Sequence, residues 1–396
     1  MMARKKLAAL VSIYRTHSHA QHIVDRFLEG YGWNGRHHRP DIDVVSLYVD
    51  QVGEDDLSHE REARHEGLTI YPTIGDALTL GGNDLAVDGV LLIAEHGEYE
   101  SNEKDQVLWP RYEFFQQMAT VFRTSGRSVP VFNDKHLSWN WAWARQMVDT
   151  SRELDFPFMA GSSLPVTCRT PSIDMPLGAN VDEAMCVNSS WIDGGDFHAY
   201  ETVQAMVERR AGGEGGVRWI KAYRGEEFWQ AHHDRQWSHE LFNACLCRSH
   251  NLNPGRPGFN DIFPTIDAMR GLMTNPWAYQ YQHLDALLCT VIAGNGLVGD
   301  FNFAAQLRDT DEPLSTNMYL AAPPTKSMAS FFSPLVNNME QMFLTGRATY
   351  PVERTLLTTG LTASGLDSRF QGDQQLDTPH LNIAYEAPAE STYWRT

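Results

Sequence analysis

Along its first 160 residues the chain alternates short apolar runs with stretches that carry an apolar stripe at helical spacing. The runs predict buried strands, and the stretches predict helices with one face turned inward. Strands are expected in KLAALVSIY (6–14), DIDVVSLYVD (41–50), the start of LTIYPTIGDALTLG (68–81), VDGVLLIAEHGEYE (87–100), SVPVFNDKHLS (128–138) and PFMAGSS (157–163). Helices are expected in SHAQHIVDRFLEG (18–30), DDLSHEREARHEG (55–67), the end of 68–81, LWPRYEFFQQMATVFRTSG (108–126) and WNWAWARQMVDTSRELD (139–155). Gly30 and Gly126 suit helix ends. Strand and helix in turn imply an α/β domain, a parallel sheet with helices on both faces. Its connections are right-handed, so the loops after the strands gather along one edge, where ligands of such sheets bind.

From about residue 160 the pattern changes, which divides the chain into domains at 1–160 and 161–396. VDEAMCVNSSW (181–191), VRWIKAYRG (217–225), LDALLCTVIAG (284–294), GLVGDFNFAAQL (296–307) and STNMYLAA (315–322) read as longer strands. Helices fall between them near 197–211, 226–250 and 260–273. The second domain is therefore expected to be α+β, with a mostly antiparallel sheet. Gly294-Asn295-Gly296 predicts a tight hairpin. Helices near 324–345 and 351–366 are expected to pack back on the first domain, and GRPGFND and AGGEGG read as loops.

Composition narrows the class. The 396 residues are 42% hydrophobic and 11% aromatic, enough for a large folded core. The net charge of −18 and the lack of a dense Lys/Arg run argue against nucleic acid as a partner. No apolar stretch reaches the roughly 18–20 residues of a membrane span. The opening MMARKK and its short apolar run lack a small-residue cleavage site, so the run is read as the first strand and the protein as cytoplasmic. Cys168, Cys186, Cys245, Cys247 and Cys289 are odd in number and match no disulfide framework, so reduced thiols are expected. Cys245 and Cys247, with His250 nearby, lie in an amphipathic stretch and are read as helix packing rather than as metal ligands.

The candidate chemistry sits in four loops. The first holds His17, His19 and His22. The second follows the strand before Glu95 and carries His96 and Glu98; Glu100 and Glu103 beyond it are read as solvated. The third reads Asn133-Asp134-Lys135-His136. The fourth carries His198 and Glu201, three apart and so on one face of a helix. Imidazoles and carboxylates suit a divalent metal ion, and the ligand set expected is His17, His19, His96, Glu98, His198 and Glu201. The same groups suit acid–base work near neutrality. Lys135, His136 and His198 are the expected catalytic residues.

The order of elements, together with two motifs, resembles the glucose-fructose oxidoreductase / inositol dehydrogenase / MocA family. Asp134-Lys135-His136 stands where that family has Glu-Lys-Pro. IDGGDFHAYETVQAM is similar to its Asp-x-Gly-x-His-x-x-Asp motif, with His198 keeping the histidine and Glu201 the last acid; Gly194 takes the first Asp position, with Asp193 one residue away. The resemblance implies a Rossmann-like first domain, a large open sheet in the second, and homo-oligomers paired through that sheet. It implies a sugar-like, polyhydroxylated substrate. It also implies NAD(P) against Tyr14, Thr16 and His17, with Asp50 on a ribose. The opening loop departs from the family: Tyr14-Arg15-Thr16-His17-Ser18-His19 has none of the glycines that let a backbone approach a pyrophosphate.

That departure sets the functional expectation. The first reading is a metal-assisted enzyme carrying out elimination, isomerisation or hydrolysis, with the dinucleotide weakened or lost. The second is an NAD(P)-dependent sugar oxidoreductase with an unusual phosphate loop. The third is a non-catalytic protein that binds a small ligand in the cleft.

Overall fold

The computed structural model describes residues 4–254, 263–320 and 329–395. The first half runs β1 (Lys5–Ile13), α1 (His19–Glu29), a small hairpin of β2 (Tyr31–Trp33) and β3 (Arg36–His38), β4 (Ile42–Gln51), α2 (Ser58–Arg64), β5 (Thr69–Ile70) and α3 (Ile74–Thr79). It continues through β6 (Gly89–Ile93), α4 (Arg111–Ser125), β7 (Val131–Asp134), α5 (Trp141–Glu153) and β8 (Phe158–Gly161). The main strands form one sheet in the order β5-β4-β1-β6-β7-β8, all parallel. Central β1 is apolar from Leu7 to Val11 because both of its faces are covered. Ala8 and Leu10 enter the core under α3, α4 and α5, whereas Leu7, Ala9 and Val11 enter the core under α1. α1 starts where Ser18 accepts the amide of Gln21 and stops at Gly30, φ 88°.

The second half runs β9 (Arg169–Thr170), β10 (Val181–Asn188), α6 (Gly194–Val207), β11 (Val217–Arg224), α7 (Gly225–His233), α8 (His239–Arg248) and α9 (Ile266–Leu272). After these come β12 (Trp277–His283), β13 (Leu288–Ala293), β14 (Phe301–Leu307), β15 (Leu314–Met318), α10 (Ser333–Thr345), α11 (Val352–Phe370) and β16 (Leu376–Asp377). Its sheet has the order β16-β11-β12-β13-β10-β14-β15-β9 and is antiparallel except between β10 and β13. Ala184 and Cys186 of β10 face the core under α6 and α11, which runs on into the core of the first sheet. α10 lies on the other face of the first sheet, where Leu335, Met339 and Phe343 join the core under α1.

Three expectations change. Gly294-Asn295-Gly296 makes a turn, but no hairpin, because β13 and β14 lie on either side of β10. Asn295 clamps the turn across the end of β10: its side chain accepts from the Ser190 amide at 2.7 Å and donates to the Ser190 carbonyl at 2.8 Å. The helix expected over 226–250 breaks into α7 and α8, because the chain turns to bury Trp237 between them. The strand WAYQYQH, β12, was not expected at all. The sheet is also not bare on its outer face. Met185, Val187, Ala278, Ile292 and Ala304 pack there against Phe228, Leu241 and Cys245 of α7 and α8. A second copy meeting this face would meet those helices. The GRPGFND loop, and residues 321–328 of the expected last strand and helix, lie outside the described residues.

α11 is tightly held along its length. A Cβ at Gly360 would sit 2.7 Å from the Trp141 ring and against Leu381. Gly360→Ala gains about 1 kcal/mol of helix propensity but overpacks this contact at a cost of about 1–3 kcal/mol. The expected outcome is a lower denaturation midpoint with an unchanged m-value. A raised midpoint would show that Trp141 and Leu381 give way freely.

Candidate active site

Four segments meet where the two sheets face each other. β6 ends at Ile93 and leads to Glu95, and β7 delivers Asp134, Lys135 and His136. The segment after β10 brings Trp191 and Asp193, and the first turns of α6 bring His198 and Glu201. Lys135 sits at φ 66°, a left-handed turn just past the strand. Its amide donates to the Gly161 carbonyl at 3.1 Å, and its side chain is buried.

The Lys135 Nζ lies 2.5 Å from His198 Nε2. His198 Nδ1 lies 3.2 Å from Glu201 Oε2. Glu201 in turn accepts from the Ser162 amide at 2.8 Å and from the Ser162 hydroxyl. A Cβ at Gly161 would fall 2.8 Å from Glu201 Oε1, so the glycine lets the carboxylate reach the end of β8. Burial, and then the Lys135 charge, hold the His198 imidazole well below its ordinary pKa. His198 is therefore neutral, with Nε2 accepting from Lys135 and Nδ1–H facing Glu201. Burial raises Glu201 to about 7.

A second layer surrounds this column. Glu95 lies 3.7 Å from Lys135 Nζ and is paired with Arg111, which is wholly buried. Burial alone would raise Glu95, but Lys135 and then Arg111 hold it well below the usual carboxylate range. Arg111 Nη1 donates to His136 Nε2 at 3.1 Å. His136 Nε2 lies 3.7 Å from Asp193 Oδ1. Burial raises Asp193 to about 7. Burial, and then Arg111, lower His136 well below its ordinary pKa.

The expected site residues divide. Lys135, His198 and Glu201 come together, with His136 one layer out. His19 and His96 form a neighbouring group: His19 Nδ1 lies 2.6 Å from Asp134 Oδ2, and the two rings are 5.0 Å apart. His17 is turned the other way, its ring 6.1 Å from that of buried His22. With exposed Thr16 it lines a separate cavity of about 660 Å3, which Gln21 and Arg61 also line. Glu98 is exposed, and it is its backbone that bonds Gln51. Tyr14 is wholly buried, its hydroxyl donating to Asp25 at 2.5 Å, so its side chain is turned away from any ligand in the loop. Glu95, Arg111 and Trp191 were not singled out from the sequence, and Asp193 was noted only as one residue out of register with the motif. Glu95 stood in a quoted loop and Arg111 in a quoted helix, but a lone charge at a strand or helix end has no distinctive spacing.

The expected metal set is not gathered. Among the described residues no three His, Cys, Asp or Glu side chains converge as a metal would require. Both nitrogens of His198 are engaged, one by Lys135 and one by Glu201. For a dinucleotide the first domain offers two unlike ends. At the end of β4 the exposed Asp50 accepts from the Tyr48 and Tyr99 hydroxyls at 2.8 Å and keeps lone pairs for a ribose. At α1 the fit fails. His17 takes the left-handed turn, φ 65°, but its amide donates to Gln21 Oε1 at 2.6 Å. The His19 amide faces His96 Nδ1 at 3.5 Å, and the His19 ring packs 5.0 Å from that of Phe332. A glycine loop would leave bare amides there.

No protein-family model and no curated protein matches this sequence. Solved structures do match over nearly the whole chain. GenD2 from gentamicin A biosynthesis, in complex with NAD, has a TM-score of 0.56 at 12% identity, covering 95% of this chain and 97% of that one. The myo-inositol dehydrogenase from Lactobacillus casei, in complex with NAD(H) and myo-inositol, has a TM-score of 0.52 at 10% identity, covering 98% and 99%. UDP-N-acetylglucosamine 3-dehydrogenase GnnA from Acidithiobacillus ferrooxidans has a TM-score of 0.50 at 8% identity, covering 93% and 99%. The chain therefore has the two-domain fold of the glucose-fructose oxidoreductase / inositol dehydrogenase / MocA dehydrogenases, at low sequence identity to them.

The raised Glu201 gives a test of the column. Its folded pKa of about 7 lies above its ordinary value of 4.5. Below pH 4.5 both states hold the proton; as pH rises towards 7 the unfolded chain releases it first and the folded state loses stability. Glu201→Gln removes this titration. Its stability relative to the parent is expected to rise across that window, by on the order of 3 kcal/mol at the upper end. Denaturation midpoints of both proteins from pH 4 to 8 check the prediction, and a constant difference would refute it.

Proposed function

We propose that the chain is an oxidoreductase acting on a hydroxyl-bearing carbon of a polyhydroxylated, sugar-like substrate. The observation that carries this reading is the Lys135–His198–Glu201 column in the cleft between the sheets, with Lys135 Nζ 2.5 Å from His198 Nε2. The sugar and polyol dehydrogenases that share the fold support the same choice.

In this reading a substrate hydroxyl meets Lys135. Lys135 passes a proton to His198 Nε2 as it takes one from the hydroxyl. The new imidazolium is stabilised by Glu201 at Nδ1, and Ser162 holds Glu201 in place. Run backwards, the same column returns a proton to a carbonyl oxygen. Glu95 and Arg111 fix the charge around Lys135, so the lysine has an anion beside it at both stages. A nicotinamide dinucleotide would supply hydride transfer in such a reaction. Asp50 would hold its ribose; the imidazole-filled start of α1 does not hold a pyrophosphate as a glycine loop does. That mismatch favours a second reading, in which the same column drives a redox-neutral elimination or isomerisation beside a carbonyl.

Calorimetric titration with NAD+ and NADP+, alongside their reduction by a panel of cyclitols and sugars, separates the two readings. Binding and reduction are expected. Lys135→Met and His198→Ala should each lower kcat about 10²–10⁴-fold, and the double variant little further because the pair acts as a unit. No binding at millimolar dinucleotide would overturn the oxidoreductase. Turnover unchanged in both single variants would overturn the acid–base column itself.

A further inference from the structure

Trp191 is 54% exposed, although it stands beside the most buried charges of the site. The Lys135 Nζ lies 5.6 Å from the centre of its ring, and the His198 ring meets it edge-on at 5.8 Å. Two glycines lie against it. A Cβ at Gly195 would fall 2.9 Å from Cδ2 and 3.0 Å from Cε3 of the indole, and one at Gly194 would fall 2.9 Å from its Nε1. Neither glycine has a positive φ. They are not needed for an unusual backbone, and they open the first turn of α6, where each costs about 1 kcal/mol of helix propensity. Gly194 makes room for an indole that the fold leaves largely in solvent, and Gly195 makes room for both that indole and the Ser190 hydroxyl, whose oxygen would lie 2.7 Å from its Cβ. A tryptophan seated this way contributes little to the core.

We infer that Trp191 is the platform on which the substrate ring stacks, and that it selects a saturated ring, a pyranose or cyclitol, over an open-chain polyol. A saturated ring presents an apolar C–H face and a polar rim. The indole offers a flat apolar surface to the first, and Lys135 stands beside it to receive a hydroxyl of the second. The ammonium over the same ring is held by the indole as well as by Glu95, so aromatic and lysine keep a fixed relation. An open-chain polyol offers no rigid C–H face and must give up more rotational freedom to lie flat. The inference rests on the reading of Lys135 and His198 as the acid–base pair.

The test measures binding of myo-inositol, glucose and open-chain sorbitol by saturation-transfer NMR and calorimetry, with turnover followed in parallel. Trp191→Ala should weaken binding of the ring compounds roughly tenfold or more and sorbitol little. Trp191→Phe should restore most of the loss. Where turnover is measured, the Ala change should fall mainly on KM, whereas Lys135→Met should fall on kcat. Ring binding unchanged in Trp191→Ala would overturn the platform and leave the acid–base column standing. So would failure of the parent protein to bind either ring compound at about 100 mM. A shift of Trp191→Ala from dimer to monomer in sedimentation would overturn it too, by assigning the indole to contact with a second copy. Turnover unchanged in Lys135→Met, with ring binding lost in Trp191→Ala, would overturn the proposed chemistry and keep the platform.

Discussion

Two cations, Lys135 and Arg111, are buried side by side where the domains meet, and the rest of the site follows from that. An unpaired buried charge costs several kcal/mol. Glu95 reaches both, and the Ser12 hydroxyl, donating at 2.9 Å to the carbonyls of Glu95 and His96, holds the loop that presents it. Burial, and then the neighbouring cation, hold His198 and His136 well below their ordinary pKa, so they accept from Lys135 and Arg111. Away from that direct contact, burial outweighs attraction, and Asp193 and Glu201 are both raised to about 7. These two carboxyls therefore titrate in the range where acid–base groups work near neutrality.

Backbone strain is present in and beside this site, as it is in other loops of the chain. His17, His96, Lys135 and Asp193 all have φ between 65° and 70°. Glycine would take this conformation freely; a residue with a Cβ pays about 1–2 kcal/mol. Each occurrence lies in a loop that turns sharply off a strand or into a helix, and each uses the turn to place a side chain. At Lys135 the turn carries the ammonium into the cleft. At Asp193, φ 69° and ψ −86°, it sets the carboxylate beside His136 and opens α6 at the glycines under Trp191.

Much of this was legible in the sequence. Apolar runs and helical stripes located the strands and helices of the first sheet, because a parallel strand buried on both faces leaves an unmistakable run. The spacing of His198 and Glu201 put them on one helix face, and the strand-end position of Lys135 put it at the ligand edge. What stayed hidden depends on neighbours distant in the chain. Gly294-Asn295-Gly296 announced a turn but not that β10 would lie between the strands it joins. WAYQYQH, β12, was passed over because its aromatic and polar residues alternate on a strand whose two faces are both covered, under α11 and under α7. Glu95, Arg111 and Asp193 gain their meaning only from one another, and no local pattern announces a charge whose partner lies in another loop.

The histidines of the opening loop show how much a change of residue alters when the backbone path is kept. His17 preserves the left-handed turn of a phosphate loop, and Ser18 preserves the helix cap. The bare amides, however, have been given to side chains, and the space in front of α1 to imidazoles and Phe332. Glycine amides carry a fixed partial charge that any phosphate meets. Imidazoles carry one only when protonated, and burial lowers His22 to about 3 and His96 to about 4. Near neutrality these two rings present dipoles rather than charge to an anion. In the proposed reading, a ligand in this cleft would draw its hold from Asp50 at the edge of β4, from Lys135 and from Trp191.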